Sequence, residues 1–292
     1  MLRIYNTLTK QKQEFKPQEP SRINMYVCGV TVYDDCHIGH ARSLYIFEVI
    51  RRYLKQKSFD VRFIRNITDI DDKIINRANE LAVDWKELVK TYIDKYYKDL
   101  ERLEIPSADE EPRATENISE MIKHIEGLIE RGYAYVTKSG VYFNVRKFNS
   151  YGKLSGQSVD EMRSGGRIAP DETKQDPLDF ALWKISKEGE PYWESPWGRG
   201  RPGWHIECSV MSQRHLKTET LDIHGGGRDL IFPHHENEIA QSEALSGRPF
   251  VKYWMHHGLL TINGQKMAKS LGNFVTIGDF IAKHRDQDLL KL

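Results

Sequence analysis

The chain has 292 residues, of which 29% are charged, and its formal net charge is +1. This composition predicts a folded protein with a sizeable core and excludes an intrinsically disordered chain. The near-neutral total neither favours nor excludes a nucleic-acid partner. There is no apolar run long enough to span a bilayer, no signal-peptide pattern at the N-terminus, and three cysteines do not make a disulfide framework. We therefore expect a cytoplasmic protein that has no membrane partner.

The first elements predict a βαβ unit. Apolar and polar residues alternate over 23–27, apolar residues recur at helical spacing from Gly39 to about Tyr53, and residues 59–64 again have a strand pattern. A strand, a helix and a strand in about 40 residues predict a parallel sheet with a right-handed crossover. Ligands bind such sheets at the carboxyl ends of the strands, where the segment 28–40 leaves the first strand.

The rest of the chain predicts two further parts. Residues 147–200 are rich in glycine, proline, serine and charge, so we interpret roughly 110–200 as an insertion between two halves of the sheet domain. Asn263-Gly264 predicts a tight turn. The other predicted elements are helices at 71–103, 117–130 and 233–246, and strands at 134–136, 140–145, 221–225 and 258–262.

The segment 36–40, Cys-His-Ile-Gly-His, lies where the first helix is predicted to start. A helix N-terminus attracts phosphate, because its N–H groups are unpaired and its dipole is positive there. His37 and His40 share a face of the first turn, and imidazoles can donate to phosphate oxygens that gain charge in a transition state. Gly39 leaves space for a nucleotide. The alternative is two ordinary surface histidines at a helix start.

A second motif, Lys-Met-Ala-Lys-Ser at 266–270, lies between Asn263-Gly264 and Gly272. A loop flanked by glycine can close over a triphosphate and bring the ammonium groups of Lys266 and Lys269 to it. The alternative is a solvated turn that contains two lysines.

Four residues are candidate metal ligands. Cys28 follows the first strand, and His234 and Glu238 are four apart, so that they share a helix face. Together with Cys208 they offer two sulfurs, an imidazole and a carboxylate, a donor set that suits zinc. His235 is four apart from an isoleucine and is the poorer candidate. From the residues alone, the cysteines can equally be small buried hydrophobic groups.

The two motifs, in this order, resemble the HIGH and KMSKS signatures of class I aminoacyl-tRNA synthetases. The first is matched in full at 37–40, and the second departs only at Ala268, where the family usually has serine. The resemblance extends from about residue 20 to 280 and points to cysteinyl-tRNA synthetases in particular. The stretches that carry this closer resemblance are residues 26–33, 66–73, 203–209 and 224–238.

The resemblance implies an α/β fold, a Rossmann-like parallel sheet with an inserted connective-peptide subdomain. It also implies that Cys28, Cys208, His234 and Glu238 are zinc ligands. Thr68, Trp204 and Asp229 are implied to contact the substrate, with Trp204 closing over it and Thr68 near its α-amino or carboxylate group. The implied boundaries are 1–110 and 201–265 for the two halves of the catalytic domain, 111–200 for the insertion, and 266–292 for the second signature and the start of a stem-contact region.

The implied activity is the activation of L-cysteine with ATP and its transfer to tRNA(Cys). His37, Gly39, His40, Lys266 and Lys269 are then expected to bind ATP, and the histidines and lysines to act in catalysis. The implied cofactors are one zinc ion per chain and magnesium with ATP, and we expect a monomer. Family members carry a further helical region after the second signature, so this chain is expected to be a truncated form without the anticodon-binding domain.

Two alternatives are left open. A cysteine ligase with an amino-sugar acceptor would activate cysteine in the same way, and a non-catalytic nucleotide- or tRNA-binding relic would not activate it at all. Transfer assays with either acceptor separate the first alternative from tRNA charging.

Overall fold

A computed structural model describes residues 2–160, 173–267 and 272–284 of the chain. The strands are β1 (Arg3–Asn6), β2 (Gln11–Glu14), β3 (Arg22–Thr31), β4 (Asp60–Thr68), β5 (Ala134–Val136), β6 (Gly140–Phe143), β7 (Phe180–Ile185), β8 (Gly200–Pro202), β9 (Leu221–Gly227), β10 (Val251–His257), β11 (Thr261–Ile262) and β12 (Gln265–Lys266). The helices are α1 (Ile38–Gln56), α2 (Asp72–Leu81), α3 (Trp85–Arg102), α4 (Ile118–Glu130), α5 (Trp204–Leu216), α6 (Glu236–Ser246) and α7 (Ile277–His284).

Four strands form a parallel sheet in the order β10–β9–β3–β4. The chain leaves β3, crosses through α1 to β4 on one side, and returns much later as β9 on the other side. The order of the strands therefore reverses at β3, and a crevice opens at the carboxyl ends of β3 and β9, which is where such sheets bind ligands. The predicted parallel α/β fold is confirmed.

Helix α1 covers one face of this sheet because its apolar residues recur every three or four positions. Leu44, Phe47 and Leu54 are buried, and Phe47 and Leu54 share a core with strand residues such as Ile23 and Val61. The helix begins at the carboxyl edge of β3, so its N-terminus faces the crevice.

A second sheet is antiparallel, with strand order β5–β6–β7–β8. All of it except the end of β8 lies within the predicted insertion, and its Val141 and Trp183 are fully buried. They belong to the same hydrophobic cluster as Tyr26 of β3 and Ile64 of β4, so the cores of the two sheets are continuous. The four implied domain boundaries stay predictions.

Several elements differ from the sequence-based expectations. The helical stretch 71–103 is two helices, because Ala82 takes a left-handed conformation between α2 and α3. The strand expected at 258–262 is only the two-residue β11, which pairs with β12 through the Asn263-Gly264 turn. Strands β1, β2, β7, β8 and β10 and helices α5 and α7 were not predicted.

Helix α5 lacks an amphipathic pattern because the protein surrounds it. Its polar residues Glu207, Ser209 and Ser212 are as buried as its apolar ones, so no polar face marks the helical period. Along the described ranges, no helix combines the length and the apolar character needed to cross a bilayer.

Candidate functional site

A β-bulge at Cys28 and Gly29 shapes the crevice. The register between β3 and β4 shifts between Val27 and Val30, and the N–H of Gly29 donates to Oδ1 of Asn66 at 2.9 Å. A Cβ on Gly29 would lie 1.6 Å from the backbone oxygen of Asn66, so only glycine fits. Bulges re-aim side chains next to functional sites, and this one lies beside the predicted metal ligand Cys28.

The four predicted metal ligands meet at this bulge. One donor atom from each of Cys28, Cys208, His234 and Glu238 lies within 4.8 Å of the other three. The sulfurs are 3.7 Å apart, and Oε1 of Glu238 is 3.0 Å from Nε2 of His234 and 3.6 Å from the Cys28 sulfur. Ligands that surround a tetrahedral zinc ion are separated by roughly 3.3–3.8 Å. The donor types and their separations therefore fit a zinc ion.

Because the cluster is buried, its ionised form is energetically unfavourable in the absence of a cation. Burial raises the pKa of the Cys28 thiol and of the Glu238 carboxyl, and it lowers the pKa of His234. For Cys208 a hydrogen bond with Cys28 lowers the pKa, but burial and the neighbouring Glu238 outweigh it, so the net direction is upward. A divalent cation would reverse this preference, because it stabilises thiolates and a carboxylate directly.

Two further histidines adjoin the cluster: His224, to which sequence reasoning gave no part, and His235, which it ranked as the poorer candidate. His224 and His235 form a second possible ligand set with Cys28 and Glu238. His224 Nε2 lies 2.7 Å from Glu238 Oε2, and His235 Nε2 lies 3.3 Å from the Cys28 sulfur. The spacing argument correctly brought His234 next to Glu238, but it did not find His235, which lies in the same turn, Ile231–His235, before α6 begins.

Contacts with further histidines hold His234 and His235 in place. His234 is 2.9 Å from His205 between their Nδ1 atoms. His235 contacts His256 at 2.7 Å, and His256 in turn contacts the hydroxyl of Thr7 at 2.9 Å. Outer partners of this kind orient metal-binding imidazoles. His224 is a polar residue in the apolar strand β9 and directly precedes three glycines. This was the sequence signal that could have indicated its role.

The first signature forms the start of α1. His37 is the N-cap, and its Nδ1 accepts from the N–H of Gly39 at 3.0 Å. Nδ1 of His40 accepts from the N–H of His37 at 3.1 Å, and the two rings stack at 3.8 Å. Burial, with His37 and Lys73, lowers the pKa of His40 to about 3. His40 is therefore neutral, and its ring proton lies on Nε2 because Nδ1 is an acceptor.

Gly39 is required by this arrangement. An added Cβ would lie 2.7 Å from Cε1 of His37 and 3.1 Å from the methyl group of Met267. The expectation that Gly39 leaves space for a nucleotide stays a prediction, since its close neighbours here are protein atoms.

The neighbourhood of the second signature adjoins the first. The N–H of Ile38 donates to the oxygen of Val275 at 3.1 Å, and the N–H of Ile277 donates to the oxygen of Cys36 at 2.9 Å. Lys266 ends β12, whereas Ala268 and Lys269 lie outside the described residues. The ATP contacts expected of both lysines therefore stay predictions.

Two of the three predicted substrate residues lie beside the cluster. Trp204 begins α5, is 37% exposed, and stacks on His234 with ring centroids 4.1 Å apart. It is thus not the core aromatic that tryptophan commonly is. Thr68 ends β4, is buried, and donates from Oγ1 to Glu207 Oε2 at 2.9 Å. Burial raises the pKa of Glu207, which the hydroxyl of Thr68 opposes.

The third, Asp229, lies at the carboxyl end of β9. It belongs to a short helical turn, Arg228–Leu230, and its Oδ1 would be 2.5 Å from a Cβ on Gly227. The carboxylate thus folds back over a strand end that faces the same crevice. Its contact with substrate stays a prediction.

A parallel sheet with a helix starting at the crevice is the architecture of Rossmann-like nucleotide-binding domains. Residues 14–292 match the family model described as "tRNA synthetases class I (C) catalytic domain", and the chain belongs to that family. The resemblance drawn from the two signatures is confirmed.

The relatives are similar over the whole of this chain. A protein of Thermodesulfovibrio yellowstonii named cysteine–tRNA ligase is 59% identical over 100% of this chain and 60% of its own length. One of Aquifex aeolicus with the same name is 56% identical over 100% of this chain and 58% of its own length. The chain therefore spans about 60% of the length of these curated relatives.

A solved structure shares the fold. Mycobacterium tuberculosis methionyl-tRNA synthetase in complex with methionyl-adenylate superposes with a TM-score of 0.71 at 16% sequence identity. The match covers 90% of this chain and 62% of that chain. At this identity, the likeness establishes the fold alone.

Proposed function

We propose that this chain activates L-cysteine with ATP to form cysteinyl-adenylate and, as part of a cysteine–tRNA ligase, supplies the cysteinyl group to tRNA(Cys). The observation that carries the proposal is the convergence of two cysteines, a histidine and a glutamate on the crevice where the signature helix α1 begins. The shared name of relatives that are 56–59% identical supports the same activity.

Cys28, Cys208, His234 and Glu238 would hold a zinc ion. Bound zinc supplies a Lewis acid that binds a substrate thiolate far better than a serine hydroxyl. Trp204, stacked on His234, would cover the side-chain end of the substrate and exclude water. Selectivity for sulfur would then follow without a separate editing site, because shape alone rejects serine or alanine only weakly.

The nucleotide end of the site would be formed by the start of α1. The Nε2–H group of His40, and that of His37, would donate to phosphate oxygens of MgATP as the substrate carboxylate attacks the α-phosphate. Lys266 and Lys269 would stabilise the departing pyrophosphate. No side chain need act as a nucleophile, since positioning and electrostatic stabilisation suffice for this reaction.

The test is ATP–pyrophosphate exchange with cysteine and with serine, before and after metal is removed. We expect exchange with cysteine only, its loss on chelation, and its recovery with zinc. Cys208→Ala should lose both bound zinc and exchange. Cys36→Ala is the matched control, because Cys36 is buried beside the signature helix and belongs to neither possible ligand set among the described residues.

Transfer assays then identify the acceptor, with tRNA(Cys) in one arm and an amino sugar in the other. Exchange that is equal with serine, or that survives complete removal of metal, would contradict the proposal. So would a Cys208→Ala chain that keeps its zinc and its activity.

A further inference from the structure

We infer that Asp72 and Arg201 are positioning residues that hold the inserted sheet against helix α2 and thereby place Trp204 over the amino-acid end of the crevice. This rests on the proposed function, because a position over the crevice matters for catalysis only if an amino acid binds there. It assigns a role to two residues that lie outside both signatures and outside the candidate ligand sets.

Strands β7 and β8 place two cations side by side. Lys184 and Arg201 are directly opposite each other in the antiparallel register, so their side chains leave the sheet on the same face. Like charges in such a position repel each other and destabilise a sheet. The two strands therefore present a site of concentrated positive charge, which a carboxylate from another element can stabilise.

Asp72, the first residue of α2, supplies this carboxylate. Its Oδ2 lies 2.6 Å from Nζ of Lys184, and its Oδ1 lies 2.7 Å from Nη2 of Arg201. Each oxygen thus accepts from a different strand, and the carboxylate joins α2 to both β7 and β8. Burial acts to raise the pKa of Asp72, but the hydrogen bond from Lys184 and the charges of Lys184 and Arg201 outweigh it, so the pKa lies below its ordinary value.

Arg201 depends most on this contact. Its side chain is 9% exposed, whereas those of Lys184 and Asp72 are 39% and 49% exposed. An exposed ion pair contributes little to stability, but a buried guanidinium that loses its carboxylate keeps an uncompensated charge. Glu190 lies 3.4 Å from the same nitrogen and compensates that charge only in part. We therefore expect Arg201, and β8 with it, to shift when Asp72 is neutralised.

The end of β8 leads directly into Trp204. The N–H of the intervening Gly203 donates to the oxygen of Leu182 in β7 at 2.8 Å. A Cβ on Gly203 would lie 2.0 Å from a backbone oxygen of β7, so the chain passes from strand to helix in close contact with that strand. Trp204 is then the first residue of α5, three residues after Arg201. A shift of β8 is therefore transmitted to the ring of Trp204.

The other end of the contact is fixed by the parallel sheet. Helix α2 begins four residues after β4 ends, at the carboxyl edge that carries the crevice. Its N-cap is Asp71, whose side chain accepts from the N–H of Lys73 at 2.9 Å, so the first turn has a defined orientation. Asp72 therefore places β8 relative to the edge of the sheet at which the substrate is proposed to bind.

The first test follows Trp204 itself, in the absence of cysteine and ATP. The chain has six tryptophans, so it is labelled with 5-fluorotryptophan, and Trp204→Phe identifies the 19F resonance of Trp204. We expect this resonance to shift or broaden in Asp72→Asn and in Arg201→Gln. It should stay unchanged in Glu80→Gln, the matched control, because the ion pair of Glu80 with Arg77 at 3.0 Å lies within α2.

The second test is kinetic. In Asp72→Asn the KM for cysteine in pyrophosphate exchange should rise about tenfold, since a misplacement of about 1 Å can cost about 10²-fold in rate. The KM for ATP and the zinc content should match those of wild type. Asp72→Glu keeps the charge and should recover most of the loss. In the Arg201→Gln background, Asp72→Asn should add little, because residues that act through one another are not additive.

An unshifted Trp204 resonance in Asp72→Asn would overturn the inference. Equal rises in the KM for cysteine and for ATP, loss of zinc or loss of the fold would overturn it as well, because each indicates a general structural role. Absence of exchange and of cysteine binding in the wild-type chain would count against the proposed function instead, while the Trp204 resonance would still report whether Asp72 positions the ring.

Discussion

Each of the two histidines of the first signature uses one ring nitrogen to stabilise the helix and the other in the proposed chemistry. In both residues Nδ1 accepts from a backbone N–H in the first turn of α1. Because Nδ1 accepts a hydrogen bond in each ring, the ring proton lies on Nε2. The helix start therefore sets the tautomer that the proposed phosphate contacts require.

His37→Asn separates these two contributions. Asparagine is a good N-cap, so the free energy of unfolding in urea should change by less than about 0.5 kcal/mol. Pyrophosphate exchange should fall by about 10²–10³, as when one oxyanion donor is removed. His37→Ala should lose similar activity and about 1 kcal/mol of stability in addition. Exchange at the wild-type rate in His37→Asn would contradict the proposed use of this imidazole.

His124 gives the chain a defined sensitivity to acid. It is buried in α4, its Nε2 lies 3.2 Å from the oxygen of Gln241, and burial lowers its pKa to about 4. In the unfolded chain a histidine has a pKa of about 6.5. The unfolded state therefore binds the proton first, so stability that is present above pH 6.5 is lost as pH falls towards 4.

His124→Gln should remove this sensitivity, since glutamine can donate to the same oxygen and does not titrate. Between pH 7 and pH 5 the wild-type chain should lose about 2 kcal/mol more of its unfolding free energy than the variant does. Urea unfolding at the two pH values measures the difference. Equal losses in both chains would show that His124 is not held neutral by burial.

At the scale of single residues, sequence patterns predicted the candidate ligands but not their surroundings. Cys28, Cys208, His234 and Glu238 come together as expected. His224 and Asn66 were given no part, because both lie in buried strands whose apolar pattern concealed them. Their contacts depend on which strands are neighbours, and short-range spacing carries no information about that.

Among the elements, the bulge of β3 has the strictest requirement. Gly29→Ala would place a methyl group 1.6 Å from a backbone oxygen of β4. Backbone cannot move aside as a flexible side chain can, so we expect a loss of about 3 kcal/mol or more, measured by urea unfolding. Zinc content should fall too, since Cys28 is the adjacent residue.

Gly258→Ala is the control for this prediction. An added Cβ there meets no atom within 4 Å, so its stability should stay within about 0.5 kcal/mol of wild type. A stable Gly29→Ala chain that binds zinc normally would show that the bulge does not set the position of Cys28.

The elements that sequence predicted well were those with one buried face. In α1 and in the strands of the βαβ unit, burial follows the chemical pattern of the residues. Helix α5 was missed because its buried face includes a glutamate and two serines. The pairing of β1 with β2 was missed because the strands are short and largely polar.

For the whole molecule, the cluster of candidate metal ligands joins parts that are distant in sequence. Its four candidate ligands come from β3, α5, the π-helical turn and α6. A ligand that binds only the folded state stabilises it by about 4 kcal/mol at 1,000 times its dissociation constant. Removal of metal should therefore lower the Tm of the entire chain by about 7 °C.

Differential scanning calorimetry with and without chelator measures this shift. In Glu238→Gln the chelator should cause little further change, because that variant already lacks one ligand. A Tm that is insensitive to chelation in the wild-type chain would mean that the cluster does not hold a metal that contributes to stability.

The strand order also governs how the protein emerges from the ribosome. Tyr26 of β3 pairs in register with His224 of β9, so one edge of β3 has no partner until almost 200 further residues have been made. At ordinary rates of synthesis, this interval lasts about 10–40 s. An unpaired edge in a buried, apolar strand invites association with other chains. The nascent chain thus has a long period in which a chaperone would protect β3, and the crevice does not exist until that period ends.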